Sequence, residues 1–313
     1  MKYYITSKIE RRLIVDYLKN LDDFISMIIF FIDIKSFARG FYVNDVMMYE
    51  ASNYFDGGKP IRFIEELRNF CYITYDNFID YKPRFIIFYD NGKSLQNKSL
   101  FSGYKSNRIG PDPDIDNLRK SLMSYYLDLS KRIFTIDGVS SVIDSEDYEC
   151  DFIPYYLIKE FTSKKSNILN VIISYDKDLL QACIFNNTIQ IVPPINRNYS
   201  FNIYNKNNCI RYIYKKFREG ILDASHIALI LSISGDPSDN IRGVDGFGPK
   251  KACDIIIRSK SKSIEELSRY FNIEEFNIIK FNYDLISFDR QIERIPIDVL
   301  EKIKSEFKTI WRE

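Results

Sequence analysis

Eight acidic residues stand where their chemistry could be used. Asp33 ends the apolar run Met27-Ile-Ile-Phe-Phe-Ile32, and Asp90 ends Arg84-Phe-Ile-Ile-Phe-Tyr89. Asp176 and Asp178 close Asn170-Val-Ile-Ile-Ser-Tyr175, while Glu149 and Asp151 lie in Glu146-Asp-Tyr-Glu-Cys-Asp151. Asp236 and Asp239 open Gly235-Asp-Pro-Ser-Asp-Asn-Ile-Arg-Gly243. A single aspartate after a strand is commonly no more than a helix N-cap. Three such placements, one of them Asp-x-Asp, point instead to carboxylates brought to one place. Carboxylates held together repel, and burying them uncompensated is costly, so a cluster implies a cation among them. With one histidine, His226, and five scattered cysteines that form no Cys-x-x-Cys pair, oxygen must hold any metal. Such a set suits Mg²⁺ or Mn²⁺.

Those acids need elements to carry them. The three apolar runs have the length and continuity of strands buried on both faces of a parallel sheet. Helical stretches over 60–79 and 116–133 separate them, and Thr188-Ile-Gln-Ile-Val192 reads as one more strand. Alternation of this kind implies an α/β domain whose ligands bind beyond the carboxyl ends of the strands. Glu149 and Asp151 would diverge on a regular helix and converge only near a helix start, for which Asp144 and Ser145 are candidate caps. A solvated acidic first turn, favoured by the helix dipole, is the competing reading. Lys105 and Arg108, three apart, would share one helix face, and a charged exposed face is the ordinary reason for such a pair. From Cys209 the pattern is helical apart from Ile295-Pro-Ile, and residues 1–23 read as a polar helix with Leu13, Tyr17 and Leu21 at helical spacing.

Between the apolar runs Ile227–Ile233 and Ala252–Ile257 lies Gly243-Val-Asp-Gly-Phe-Gly-Pro-Lys-Lys251, the pattern of a helix, a tight glycine turn and a second helix. Gly246 and Gly248 can take positive φ, and Pro249 suits the first position of the second helix. Backbone N–H groups at such a turn meet a phosphate oxygen well, and Arg242, Lys250 and Lys251 surround it. The alternative is an ordinary Gly-Pro turn between core helices. Between Arg242 and Lys262 six Lys/Arg stand against two Asp, although the whole chain is almost neutral at +1. A grip of that kind holds nucleic-acid backbone without reading bases.

At 313 residues, 45% hydrophobic and 28% charged, the chain has the make-up of a soluble globular protein. The cysteines read as reduced thiols. The longest apolar run, Ile25–Ile32, is too short to span a membrane, and no cleavable signal pattern opens the chain.

The stretch Gly235-Asp-Pro-Ser-Asp-Asn-Ile-Arg-Gly-Val-Asp-Gly-Phe-Gly-Pro-Lys250 closely resembles the helix–three-turn–helix element of the flap endonuclease and 5′→3′ exonuclease family. The resemblance runs from about Ile28 to about Leu300. Phe31-Ile-Asp33 looks like the family's first metal-ligand strand, and Phe88-Tyr-Asp90-Asn-Gly-Lys93 resembles its Phe-Asp-Gly-Lys segment with one residue inserted. Tyr104-Lys-Ser-Asn-Arg108 is similar to its gateway motif, Tyr148-Glu-Cys-Asp151 to Tyr-Glu-Ala-Asp, and Ser174-Tyr-Asp-Lys-Asp-Leu179 to Ser-x-Asp-Lys-Asp-Leu. The Asp-Asn-Ile-Arg-Gly-Val run is nearer to phage and bacterial members. Many of those carry two consecutive aspartates where this chain has Asp151-Phe152.

The resemblance implies an α/β fold with a mostly parallel sheet and flanking helices, a resolvase/PIN-like 5′ nuclease core. It adds a C-terminal helical region bearing the helix–three-turn–helix motif. Residues 1–25 would be an extension, 26–208 the catalytic domain with a helical gateway at about 104–133, and 209–313 the DNA-binding region with the hairpin element at about 225–258. Asp33, Asp90, Glu149 and Asp151 would serve one metal, and Asp176, Asp178, Asp236 and Asp239 a second. Two Mg²⁺ or Mn²⁺ ions roughly 4 Å apart would clamp the scissile phosphate. Lys105 and Arg108 would neutralise the transferring phosphate, while Tyr104, Arg242, Gly243, Gly246, Gly248, Lys250 and Lys251 would contact DNA. In relatives the hairpin's carbonyls bind K⁺. The implied substrate is DNA with a 5′ flap, 5′ overhang or free 5′ end, and RNA primers in RNA–DNA hybrid are compatible. The implied protein is an intracellular monomer with no membrane partner, in the host cytoplasm if phage-encoded, acting in replication or repair. A catalytically silent branched-DNA-binding protein of the same fold is the rival reading. A PIN-type single-strand ribonuclease fits less well, because those domains are shorter and lack the hairpin.

Overall fold

The computed structural model describes residues 25–34, 36, 62–90, 95–106, 140–145, 148–192, 202–217 and 221–310. The helix read over 1–23, most of the gateway and Arg108 lie outside the described residues. Six strands form one sheet: β1 (Met27–Asp33), β2 (Arg84–Asp90), β3 (Ser140–Ser145), β4 (Ile168–Ile173), β5 (Thr188–Val192) and β6 (Asn202–Tyr204). Their order is β3-β2-β1-β4-β5-β6, parallel throughout except for the antiparallel edge strand β6. The chain winds outward from β1 through β2 to β3 and then returns to the other side of β1 as β4. The switch in winding therefore falls between β1 and β4, where open sheets leave a crevice at their carboxyl ends. Register aligns those ends: Ile32 sits beside Ile87 on one side and Ile173 on the other.

The sheet is sandwiched. On one face Phe30 packs against Phe78, with ring centroids 5.8 Å apart, just beyond the first helix, α1 (Arg62–Asn77). After α2 (Leu95–Leu100), the helix α3 (Phe152–Leu157) covers the opposite face, where Ile29, Phe31, Ile86 and Phe88 meet Phe152 and Ile153. A single π-type turn, Ile158–Thr162, continues α3.

A second core gathers the C-terminal helices: α4 (Ile210–Ile213), α5 (Ile227–Ser234), α6 (Pro249–Ser259), α7 (Ile264–Leu267) and α8 (Ile273–Ile286). Helix α5 is apolar all round and buried from Ile227 to Ile233, as a central helix must be. The last helices, α9 (Phe288–Glu293) and α10 (Ile297–Ile310), return to the sheet, burying Phe288, Phe307 and Ile310 beside Ile143. Arg84 Nε donates to the Ile310 carbonyl oxygen at 3.1 Å.

Three local expectations change. Asp144 and Ser145 belong to strand β3, and the helix they were expected to cap begins only at Phe152, after Asp151. Gly248 has φ −79°, an extended N-cap that any residue could adopt, whereas Gly235 at φ +76° and Gly246 at φ +78° use glycine's freedom. Lys105 lies in a turn at φ +54° rather than on a helix. Pro249 does open its helix, as expected.

Candidate active site

The acids gather at the crevice. Asp33 ends β1, where its Oδ2 accepts from Ser174 Oγ at 2.7 Å and also from Ser36 Oγ. The backbone of Asp90 ends β2 beside Ser145; its side chain lies outside the described residues. Past β4, Asp176 Oδ1 accepts from the Asp178 backbone N–H at 2.9 Å, and Gln190 Nε2 donates to the Asp176 carbonyl at 2.7 Å, fixing that loop. Across the crevice stand Asp236 in the short strand β7 (Gly235–Asp236) and Asp239 in the turn before β8 (Ile241–Arg242).

One carboxylate oxygen each from Asp178, Asp236 and Asp239 lies within 4.8 Å of the others. Asp178 Oδ1 and Asp236 Oδ2 are buried and have no hydrogen-bond partner among the described residues. A buried carboxylate oxygen without a donor costs on the order of 1–3 kcal/mol or more, so two of them within one such cluster of acids fit a divalent cation there. Burial, and then the carboxylates of Asp176 and Asp236, push the Asp178 carboxyl well above its ordinary range. Burial raises Asp176 as well, against the lowering effects of the Asp178 N–H and Lys105.

Two lysines hold the acids meanwhile. Lys177 Nζ donates to Asp236 Oδ1 at 2.7 Å, and although burial favours its neutral form, Asp178 and Asp236 raise its pKa on balance. Lys105 Nζ donates to Glu149 Oε1 and lies 3.7 Å from Asp239 Oδ2. The Tyr104 hydroxyl lies 2.8 Å from both Glu149 Oε2 and Asp239 Oδ2. One phenolic proton serves one oxygen at a time, and Asn97 Nδ2 also donates to Glu149 Oε2, at 3.2 Å. Burial, with Glu149 and Asp239 beside it, holds the Tyr104 phenol well above its usual range.

The glycine hairpin follows directly. Gly235 and Gly243 cross so closely that a Cβ on Gly243 would stand 2.3 Å from the Ser234 carbonyl carbon. Buried Asn282 donates from Nδ2 to the Ser232 and Arg242 carbonyls, both at 2.9 Å, and Val244 N donates to the Ile233 carbonyl at 2.9 Å. Gly246, Gly248, Lys250 and Lys251 are exposed at the start of α6, whose N-cap glycine offers no side chain to its first N–H groups. Arg242 is exposed too, paired with Asp245 through contacts of 2.7 and 2.8 Å.

No protein-family model matches the chain. It is 25% identical over 244 residues to a 5′-3′ exonuclease of Aquifex aeolicus, covering 73% of this chain and 76% of that one. It is 28% identical over 265 residues to a 5′-3′ exonuclease of Buchnera aphidicola subsp. Acyrthosiphon pisum, covering 79% and 80%. The fold superposes with a TM-score of 0.65 on a flap endonuclease of bacteriophage T5 in a pseudo-enzyme-product complex with DNA and metal ions. That match covers 91% of this chain and 100% of the other at 18% identity. These likenesses support a 5′ nuclease family for the chain.

Within the fold the expected site residues are placed unevenly. Asp33, Glu149, Asp176, Asp178, Asp236, Asp239 and Lys105 converge through the contacts above, and Asp151 stands at the start of α3. Tyr104, expected to touch DNA, is only 3% exposed and turns its hydroxyl to the acids. Phe152 is 1% exposed and packs into the sheet's core, so the departure from paired aspartates falls on a core-facing position. Sequence reasoning missed Lys177, Ser36 and Ser174. Lys177 between two aspartates was a legible signal of built-in countercharge; Ser36 carried none.

Among the described residues no helix is long and apolar enough to cross a membrane.

Proposed function

We propose that this protein is a metal-dependent structure-specific 5′ nuclease that hydrolyses phosphodiester bonds of DNA at 5′ ends or 5′ flaps. The observation that carries the reading is the cluster of Asp178, Asp236 and Asp239, one carboxylate oxygen of each within 4.8 Å of the others, in which Asp178 Oδ1 and Asp236 Oδ2 are buried without a hydrogen-bond donor among the described residues. Asp178, Asp236 and Asp239, with Asp176, would hold one divalent cation, and Asp33, Asp90, Glu149 and Asp151 a second. Mg²⁺ or Mn²⁺, when bound there, supplies charge neutralisation for the phosphate and lowers the pKa of a water.

The chain's own residues do the rest. Ser36 and Ser174 orient Asp33 by donating to its carboxylate. Lys105 and Arg108 would meet the negative charge that builds on the transferring phosphate, for which the Lys105 ammonium would have to exchange Glu149 for a phosphate oxygen. The exposed N–H groups at the start of α6, with Lys250 and Lys251, hold duplex backbone away from the cut and so set its position by geometry. In this reading the protein acts as a cytoplasmic monomer in replication or repair, accepts RNA–DNA hybrid as well as DNA, and takes K⁺ at the hairpin carbonyls.

The test is cleavage of a labelled 5′-flap duplex, a 5′-overhang duplex and an RNA–DNA hybrid with Mg²⁺, Mn²⁺ or EDTA. Cutting near the flap junction that EDTA abolishes is expected. Tight flap binding without cutting in either metal would overturn the enzyme reading in favour of a silent branched-DNA-binding protein.

A further inference from the structure

Asn240 stands between the acids and the hairpin, and nothing in the chemistry described so far uses its side chain. Its Nδ2 donates to the Gly103 carbonyl at 2.8 Å and to Ser106 Oγ at 3.0 Å, gripping the turn on both sides of Lys105. The Lys105 backbone N–H donates to the carbonyl of Asp239, the preceding residue, at 2.9 Å. Both partners hold left-handed backbone, Asn240 at φ +60° and Lys105 at φ +54°. Asparagine tolerates that region, but for lysine it is a strained state that persists only where surrounding contacts over-determine it. Three hydrogen bonds from residues 239–240 supply that determination. Immediately after Asn240 the chain enters β8 and then the glycine hairpin.

We infer that Asn240 is a positioning residue, tying the Lys105 turn to the base of the hairpin so that the Lys105 ammonium is placed over the acids at a fixed position relative to the duplex backbone that the hairpin holds. The inference rests on the nuclease reading for its kinetic half and on the contacts alone for its structural half. Asn240 acts through Lys105 and touches no substrate. Its effect therefore belongs in the rate of the bound complex rather than in DNA affinity.

The test compares the full-length protein with Asn240→Gly, which keeps the left-handed backbone and deletes the amide, and Asn240→Asp, which keeps the shape and replaces the donor. On the 5′-flap duplex with Mg²⁺, both variants are expected to lose about tenfold or more in kcat with KM within about twofold, since small misplacement of a catalytic group is expensive. The loss should vanish when either change is made on Lys105→Ala, because no ammonium is left to place. Hydrogen exchange without metal or DNA should show the Lys105 and Ser106 amides exchanging about tenfold faster, while Val244 and Ala252 keep their protection. Full activity in Asn240→Asp, or a loss that simply adds to that of Lys105→Ala, would overturn the inference. So would loss of protection across the hairpin, which would mark a structural role only. A wild type that cuts nothing would overturn the nuclease reading, and the exchange measurement would still decide whether Asn240 holds the turn.

Discussion

The acids at the sheet edge come from segments as far apart as Asp33 and Asp239, are mostly buried, and crowd like charges together. The hairpin from Gly243 to Lys251 is contiguous and largely exposed, and it holds its shape through neighbours such as Ile233 and Asn282. The first region is left with buried carboxylate oxygens that meet no hydrogen-bond donor among the described residues; the second holds its shape by its own contacts. Chemistry and metal-linked stability should therefore reside in the first and affinity in the second. The comparison breaks if a change away from the Gly235–Gly243 crossing, where the two regions meet, moves the other region's property.

The largest effect is expected for Asp178→Ala. Removing one of the donorless carboxylates should lower cleavage by about a thousandfold or more while flap binding changes only severalfold, as read by single-turnover kinetics beside a filter-binding titration. A comparable fall in affinity would show that the two regions are not separable. Gly243→Ala comes next, because it strikes where they meet. Its Cβ would collide with Ser234 backbone, so a loss of about 1–3 kcal/mol in chemical denaturation is expected, together with weaker cutting and weaker binding.

A smaller effect sharpens the contrast through pH. The folded Asp178 carboxyl titrates above its unfolded value, so the folded metal-free protein binds more protons than the unfolded chain. Its contribution to stability is fully present below the unfolded pKa and is lost as pH rises through the folded one. Melting of the metal-free protein should thus fall as pH rises above the ordinary carboxylate range. Added Mn²⁺ should raise the melting temperature by several degrees, and by more as pH rises above the ordinary carboxylate range, as differential scanning fluorimetry would read. An increment independent of pH would show that these carboxyls do not meet the metal. The smallest effect is expected for Lys250→Ala or Lys251→Ala. Each should reduce the slope of log affinity against log salt by about one while leaving kcat at saturating DNA unchanged.

The same contrast explains what could be read in the chain. The hairpin was legible because its determinants are neighbours, and Pro249 opens its helix as the local rule requires. Even so, the demand for positive φ fell on Gly235 and not Gly248, since a close crossing with Gly243 is a tertiary event. Strands β1, β2 and β4 were legible as unbroken apolar runs. Strand β3, Ser-Ser-Val-Ile-Asp-Ser, is only partly apolar; α10 and Phe288, far along the chain, complete its surroundings. The positions of the acids could be inferred from strand ends, but their partners could not. Tyr104 reads as a DNA contact until its hydroxyl is seen between Glu149 and Asp239. Lys105 reads as a helical residue until Asp239 and Asn240 are seen to hold its turn.

The return of α10 to the sheet bears on how the protein is made. Arg84 meets the Ile310 carbonyl, and Phe307 and Ile310 seal a face whose strands are among the first described elements of the chain. During synthesis α3 can cover part of that face, but the part that α10 seals stays open until Ile310 is added, the span between Arg84 and Ile310 being 226. Contacts so distant along the chain close slowly, because their loops must be ordered before burial rewards them. The half-built sheet is thus the stage at which this chain is most exposed to aggregation, and its last helix is the one that ends that exposure.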